Sequence, residues 1–246
     1  MPARRYLFIG SSPRSGTSAL TALLNAHPRV AIGMERYVRI WRKDVLTPEH
    51  FTPEVFLARH DFDQGRNLNQ HFAVERFAER YAMADIVGDK FPFVADHLDY
   101  VFATFDPATV VYILRNPFSV CESAQARFDN PTDKGFNMDA AAVLVRWNRS
   151  LQQITAGIEA GRHIVLVSYE RLFGNRDAMA RLYRALDLDI AAADPKRIEA
   201  LTTTATQLDD KPSPRNEQLR HHVALKADFA LYRRLVQDHC ILQKEV

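Results

Sequence analysis

Four short apolar runs punctuate the chain: RYLFIG (5–10), DIVGDK (85–90), TVVYILR (109–115) and HIVLVSYE (163–170). The last two are continuous and rich in β-branched residues, the pattern of strands covered on both faces. Between the runs, apolar residues recur at helical spacing. Leu20, Leu23, Leu24 and His27 share one face, and Val94, Leu98, Val101, Phe102 and Phe105 share another. The stripe Leu144, Trp147, Leu151, Ile154 and Ile158 predicts the longest helix. Met179, Leu182, Tyr183 and Leu186 predict a further helix, and Leu225, Phe229, Tyr232 and Val236 a last one. Strands alternating with helices predict an α/β fold, a central parallel sheet with helices on both faces.

Two segments interrupt this alternation. Residues 36–84 are rich in arginine and aromatics, hold no clear strand, and read as a helical insertion lying over the sheet edge. Residues 202–218 (TTTATQLDDKPSPRNEQ) are polar, contain two prolines, and read as a loop. With 246 residues, the simplest organisation is one domain, 1–246, carrying that insertion at about 36–84.

Composition narrows the function classes. The chain is 47% hydrophobic and 25% charged, within the soluble globular range. A formal charge of +2 supplies no bulk field for nonspecific nucleic-acid binding, so any anion site must come from local placement of basic groups. Two cysteines without a CxxC pair exclude a disulfide framework and a cysteine zinc site, and leave a single disulfide open. No apolar run approaches membrane-spanning length, and the first strand starts at about Arg5, so the expectation is a cytoplasmic protein without a membrane span.

The first strand leads directly into SSPRSGTS (11–18) and then an apolar helical pattern. A glycine turn at a helix start offers unpaired backbone N–H groups and the positive end of the helix dipole, a setting for an anion. Against the Walker pattern, Ser11 replaces the first glycine and Thr17 replaces the lysine. The best hydrophobic strand ends in Arg115 rather than aspartate, and DIVGD is a weak candidate for a magnesium-holding strand.

This stretch resembles the 5′-phosphosulfate-binding loop of the sulfotransferases, which use 3′-phosphoadenosine 5′-phosphosulfate (PAPS). The family carries a basic residue two positions before the glycine, here Arg14, and Thr-Thr or Thr-Ser after it. The continuation PRSGTSALTALLNAHPRVAIGMER is similar to the tyrosylprotein sulfotransferase branch, including a glutamate seven residues past His-Pro, Glu35. The resemblance covers residues 5–130 well and the remainder loosely. It implies a P-loop-like three-layer sandwich in which Arg14, Ser15, Gly16, Thr17 and Ser18 hold the 5′-phosphosulfate, with hydroxyls in place of a metal. A sulfuryl group carries less negative charge than a phosphoryl group, so loop donors, Arg14 and one lysine suffice to stabilise its transfer.

A second family motif lies in VVYILRNPFSVCESAQARF: an arginine at a strand end and a serine eight residues later, Arg115 and Ser123. In the family this pair grips the 3′-phosphate. Asn116 suits an N-cap, Pro117 the first helical position, and Arg127 falls on the same helix face as Ser123. Arg127 is a second phosphate ligand or a surface arginine. Tyr169, in LVSYE, matches a tyrosine that approaches the nucleotide, or is a core tyrosine. Lys211, in DDKPSPRN, matches the late lysine loop that closes over the nucleotide, or is a solvated lysine.

The acceptor hydroxyl must lose a proton as it attacks sulfur. The cytosolic sulfotransferases place a histidine two residues after a lysine; here GDKFPF puts proline at that position. Glu35 is therefore the expected general base, with His97 a weaker second choice. Glu35 otherwise reads as a helix-surface glutamate beside Arg36 and Arg39. Lys90 and Arg14 are expected to stabilise charge on the leaving 5′-phosphate, which departs as adenosine 3′,5′-bisphosphate (PAP). The acceptor is left as a small-molecule, glycan or peptide hydroxyl. Tyr37 stands where the tyrosylprotein branch has an arginine, and no Golgi-type anchor is visible, so a peptide tyrosine follows from resemblance only. A P-loop kinase or nucleoside-triphosphatase, and a catalytically silent PAP-binding protein, are the alternatives.

Overall fold

The computed structural model describes residues 4–41, 43–58, 74–132, 135–209 and 216–241. Five strands form one parallel sheet: β1 (Arg5–Gly10), β2 (Val30–Met34), β3 (Ile86–Lys90), β4 (Ala108–Leu114) and β5 (Ile164–Ser168), in the order β2-β3-β1-β4-β5. Side chains alternate between the faces. Leu7, Ile9, Val111, Ile113, Val165 and Val167 point to one, against helix α1 (Thr17–Leu24) and the Arg176–Ala185 helix. Phe8, Val87, Val110, Tyr112 and Leu114 point to the other, against the Pro117–Phe128 and Ala140–Glu159 helices. Two buried layers on one sheet give the expected three-layer sandwich.

Helix starts follow local chemistry. Asn116, Asp139, Asn175 and Asn216 each accept a backbone N–H from the first turn that follows. The Ala140–Glu159 helix, 20 residues, is the longest among the described residues, as its stripe predicts.

Three elements differ from the sequence reading. The pattern shows no strand at 30–34, yet VAIGM forms β2, paired with β3 from Val30↔Ile86 to Met34↔Lys90. This five-residue run, with a glycine, becomes a strand because β3 offers it an unpaired edge. The polar segment beginning at 202 does not start as a loop, because the Pro195–Asp209 helix extends into it. Thr202 and Thr203 donate their hydroxyls to the Ile198 and Glu199 carbonyls one turn back, at 2.9 and 3.0 Å, so these threonines join the helix. The last stripe is broken: Ala227 is extended, and Asp228 caps a new helix, Phe229–Arg234. Asn148 holds that break, donating to the Lys226 carbonyl and accepting from the Asp228 N–H.

The 36–84 segment contains short helices at Val38–Trp41, Pro48–Phe51 and Pro53–Phe56 and a longer one at Val74–Met83. Trp41, Phe51, Phe56, Phe77 and Tyr81 are buried in the cluster that includes Phe8 of β1. The aromatics of this segment therefore build core on one face of the sheet rather than only an edge cover. Cys121 and Cys240 are both buried and not joined in a disulfide, which closes the single-disulfide option.

Backbone approach at the sheet centre is close. A Cβ on Gly88 would stand 1.6 Å from the Leu7 carbonyl oxygen of β1. Gly88→Ala is expected to destabilise the protein by about 3 kcal/mol or more, the upper end of overpacking penalties, measured by urea denaturation.

Candidate active site

Register brings the site together. Ile9 of β1 and Met34 of β2 both stand opposite Lys90, the last residue of β3. The loops leaving β1, β2 and β3 therefore emerge side by side at the carboxyl edge of the sheet. Chain order reverses around β1, the position where open α/β sheets bind ligands. Two backbone bonds tie the β1 and β3 exits: Phe91 N–H to the Ile9 carbonyl, 2.9 Å, and Ser11 N–H to the Pro92 carbonyl, 3.1 Å.

The β1 loop turns through two left-handed residues, Arg14 (φ 73°) and Gly16 (φ 94°), before α1 begins at Thr17. Glycine is required at 16 for space as well as for φ, since a Cβ there would lie 2.5 Å from the Tyr169 ring. The first N–H groups of α1 have no intrahelical acceptor, and Gly16 supplies no side-chain cap. Ser12 and Ser15 are buried, and their hydroxyls have no hydrogen-bond partner among the described residues. Buried, unpartnered donors beside a helix N-terminus fit an anionic group such as a phosphosulfate. Thr17 is buried and Ser18 exposed at the same turn.

The β4 exit completes the basic side. Arg115, one residue past β4, donates Nη1 to the Arg14 carbonyl at 3.2 Å, and its guanidinium lies over the Tyr169 ring, 4.0 Å from the centroid. Arg14 Nε donates to Ser123 Oγ at 3.0 Å. The two motifs, a hundred residues apart in the chain, are thus wired to each other directly. Trp147 Nε1 donates to the Arg115 carbonyl at 3.1 Å and so ties the strand exit to the Ala140–Glu159 helix. Arg127 lies one turn beyond Ser123 with its guanidinium over Phe136, 5.0 Å from the centroid. Tyr169 is buried, a core ring packed against Gly16 and under the Arg115 guanidinium. Lys211 lies outside the described residues.

Lys90 and Glu35 form an ion pair through Nζ and Oε1, with the lysine almost fully buried and the glutamate partly exposed. Glu35 is in a left-handed turn (φ 57°) after β2, not on a helix surface. Three consecutive N–H groups of that turn are taken by β3. Glu35 N–H donates to the Lys90 carbonyl at 2.9 Å, Arg36 N–H to Asp89 Oδ1 at 3.2 Å, and Tyr37 N–H to Asp89 Oδ2 at 2.9 Å.

Sequence reasoning missed Asp89 and Arg36. Asp89 is completely buried, and that burial raises its carboxyl pKa from 3.8 to about 7 against the lowering effect of the two N–H donors and Lys90. Its signal was a charged residue inside an apolar strand, read only as a weak magnesium-strand candidate. The buried Arg36 guanidinium donates to the carbonyls of Val55, Phe56 and Ala58, and so ties the insertion to the residue beside Glu35. Tyr37 is fully buried and donates its hydroxyl to the His50 carbonyl at 2.5 Å, so this position faces core rather than an acceptor. His97 pairs with Asp44 at 2.6 Å and lies against the Phe91 and Trp41 rings. Among the described residues no cluster of three or more His, Cys, Asp or Glu is placed to hold a metal.

A small cavity adjoins the loop, lined by Ser11, Ser12, Pro92, Phe93, Arg146 and Ser150. Asp96, also in its lining, pairs with Arg149 at 3.2 Å and Arg146 at 3.6 Å and accepts from Gln153 Nε2 at 2.9 Å.

Residues 7–192 match the Sulfotransferase family. The chain belongs to the sulfotransferase family. It is 28% identical over 181 residues to protein-tyrosine sulfotransferase 1 of Danio rerio, covering 68% of this chain and 48% of that protein. It is also 28% identical over 200 residues to protein-tyrosine sulfotransferase A of Caenorhabditis elegans, covering 74% and 50%. The chain spans about half the length of these two relatives. Among solved structures, the sulfotransferase from Alicyclobacillus acidocaldarius aligns over 94% of this chain and 100% of its own, with TM-score 0.52 and 18% identity. The sulfotransferase domain from the curacin biosynthetic pathway aligns over 92% and 97%, with TM-score 0.52 and 16% identity. These two share the fold. Family membership sets the kinase and nucleoside-triphosphatase alternative aside.

The raised pKa of Asp89 has a thermodynamic consequence. Between about pH 4 and pH 7 the folded state keeps a proton that the unfolded chain releases, so stability falls as pH rises through that window and levels off above it. The slope for one proton is at most about 1.4 kcal/mol per pH unit. Asp89→Asn is expected to remove this component, measured by urea denaturation of both proteins from about pH 5 to pH 8.

Proposed function

We propose that the chain transfers a sulfuryl group from PAPS to a hydroxyl acceptor, with Glu35 as general base. The observation that carries this reading is the single edge on which a helix-start loop, the Arg14–Ser123–Arg115 network and the Glu35–Lys90 pair all meet. PAPS supplies an activated sulfuryl group on a 5′-phosphate leaving group and a 3′-phosphate handle.

The β1 loop, through its N–H groups and the Ser12 and Ser15 hydroxyls, holds the 5′-phosphosulfate; Thr17 and Ser18 complete that turn. Arg115 and Ser123, with Arg127 one turn on, take the 3′-phosphate, the guanidinium fork matching its oxygens. Glu35 removes the acceptor hydroxyl proton while that oxygen bonds to sulfur and the bond to the phosphate oxygen breaks in line. Lys90 and Arg14 stabilise the charge left on the 5′-phosphate. Before turnover the Glu35 carboxylate keeps the buried Lys90 ammonium paired; acceptor binding inserts a hydroxyl where that contact now lies. Lys211 is assigned to cover the nucleotide on family pattern alone.

The insertion shapes the acceptor side of this site. In support, Arg36 fastens residues 55–58 directly to the Glu35 turn. A tyrosine acceptor comes from the relatives' names, and a glycan or small phenol fits the same chemistry.

Two substitutions separate the roles, tested on the whole chain with labelled PAPS and a panel of phenol, sugar and tyrosine-peptide acceptors. Glu35→Ala is expected to lower turnover ~10²–10⁴-fold while calorimetry shows PAP affinity within a few-fold of the parent. Full turnover in that variant would refute the base assignment. Arg115→Ala is expected to weaken PAP binding ~10–100-fold, the worth of a charge-assisted hydrogen bond. Unchanged PAP affinity there would remove Arg115 from the 3′-phosphate site.

A further inference from the structure

Asp89 has no place in the proton or phosphate chemistry above, yet it is the most completely buried carboxyl beside the site. Both of its oxygens are used on the turn that carries Glu35, one on the Arg36 N–H and the other on the Tyr37 N–H. That turn needs holding. Glu35 is a non-glycine residue at φ 57°, a conformation that costs about 1 kcal/mol or more and persists only where the surroundings over-determine it. Directly across the strand pair Asp89 stands opposite Gly33, and a Cβ on Gly33 would lie 2.6 Å from Asp89 Oδ1. Glycine at 33 therefore leaves the space in which the carboxylate leans across β2 to reach the turn. An aspartate in β3, a glycine opposite it and a left-handed glutamate two residues past that glycine form one device.

We propose that Asp89 is a positioning residue for sulfuryl transfer: by binding the Arg36 and Tyr37 N–H groups in the space left by Gly33, it holds the left-handed turn that keeps Glu35 at Lys90. The inference rests on the reading of Glu35 as the base. Asp89 touches neither phosphate nor acceptor and acts through the direction of the Glu35 side chain.

The test is a double-mutant cycle on the whole chain. Turnover is measured with labelled PAPS and whichever acceptor of the panel is sulfated fastest, and PAP affinity by calorimetry. Asp89→Asn keeps the volume but replaces one acceptor oxygen with a donor facing an N–H. It is expected to lower kcat ~10–10²-fold, the cost of displacing a reacting group by about 1 Å, with PAP affinity within about threefold of the parent. Gly33→Ala, which pushes the carboxylate off the turn, is expected to reproduce that pattern. In a Glu35→Ala background, Asp89→Asn is expected to cause no further loss, since a residue acting only through Glu35 has nothing left to act on. An unchanged kcat in Asp89→Asn would overturn the proposal, as would an equal loss in both backgrounds, which marks a general structural role. Full turnover in Glu35→Ala alone would instead sink the base reading, and the positioning role with it. A dead Glu35→Ala beside a fully active Asp89→Asn would refute only the role of Asp89.

Discussion

The alignment of β1, β2 and β3 at their carboxyl ends is the constraint from which the site follows. Lys90 stands opposite Ile9 on one side and Met34 on the other, so an anion loop, a glutamate and a buried lysine leave the sheet at one level. A slip of one residue in either pairing would reverse the faces of a strand and separate these groups. The two buried layers resist such a slip, because Leu7 and Ile9 on one face and Phe8 on the other are each enclosed by helices.

On that frame the site is held mainly by backbone. Asp89 and Lys90 accept three successive N–H groups of the Glu35 turn, and Arg115 donates to the Arg14 carbonyl. Side chains that would otherwise be mobile are used as braces. Arg36 and Tyr37 show this most clearly, since both belong by sequence to a basic, aromatic segment suited to an acceptor, and both are buried with carbonyl partners. Such bracing places the chemistry on rigid elements, where small displacements of a reacting group are costly in rate.

In the proposed reaction, charge and hydroxyl divide the work at the loop. Ser12 and Ser15 are buried at the mouth of α1 without a hydroxyl partner among the described residues, while Arg14 bonds to Ser123 and Arg115 to the Arg14 carbonyl. The hydroxyls are thus ready donors, and the arginines are already oriented. A preorganised set of donors does not spend free energy on reorganising when charge develops.

Much of this was legible in the residues. Continuous β-branched runs gave β4 and β5, helical stripes gave the long helices, and the glycine turn at the start of α1 marked an anion loop, because these patterns are local. Family resemblance added the Arg115–Ser123 pair, and Glu35 and Lys90 as separate candidates. Tertiary structure decided what depends on a partner distant in the chain. VAIGM became a strand through the open edge of β3, and Thr202 and Thr203 joined a helix by bonding back to its own carbonyls. Glu35 met Lys90, Asp89 met two N–H groups across a glycine, and Arg36 turned inward. A charged residue in a sequence carries no record of which backbone groups will surround it; only packing supplies the neighbours that make it a brace or a reagent.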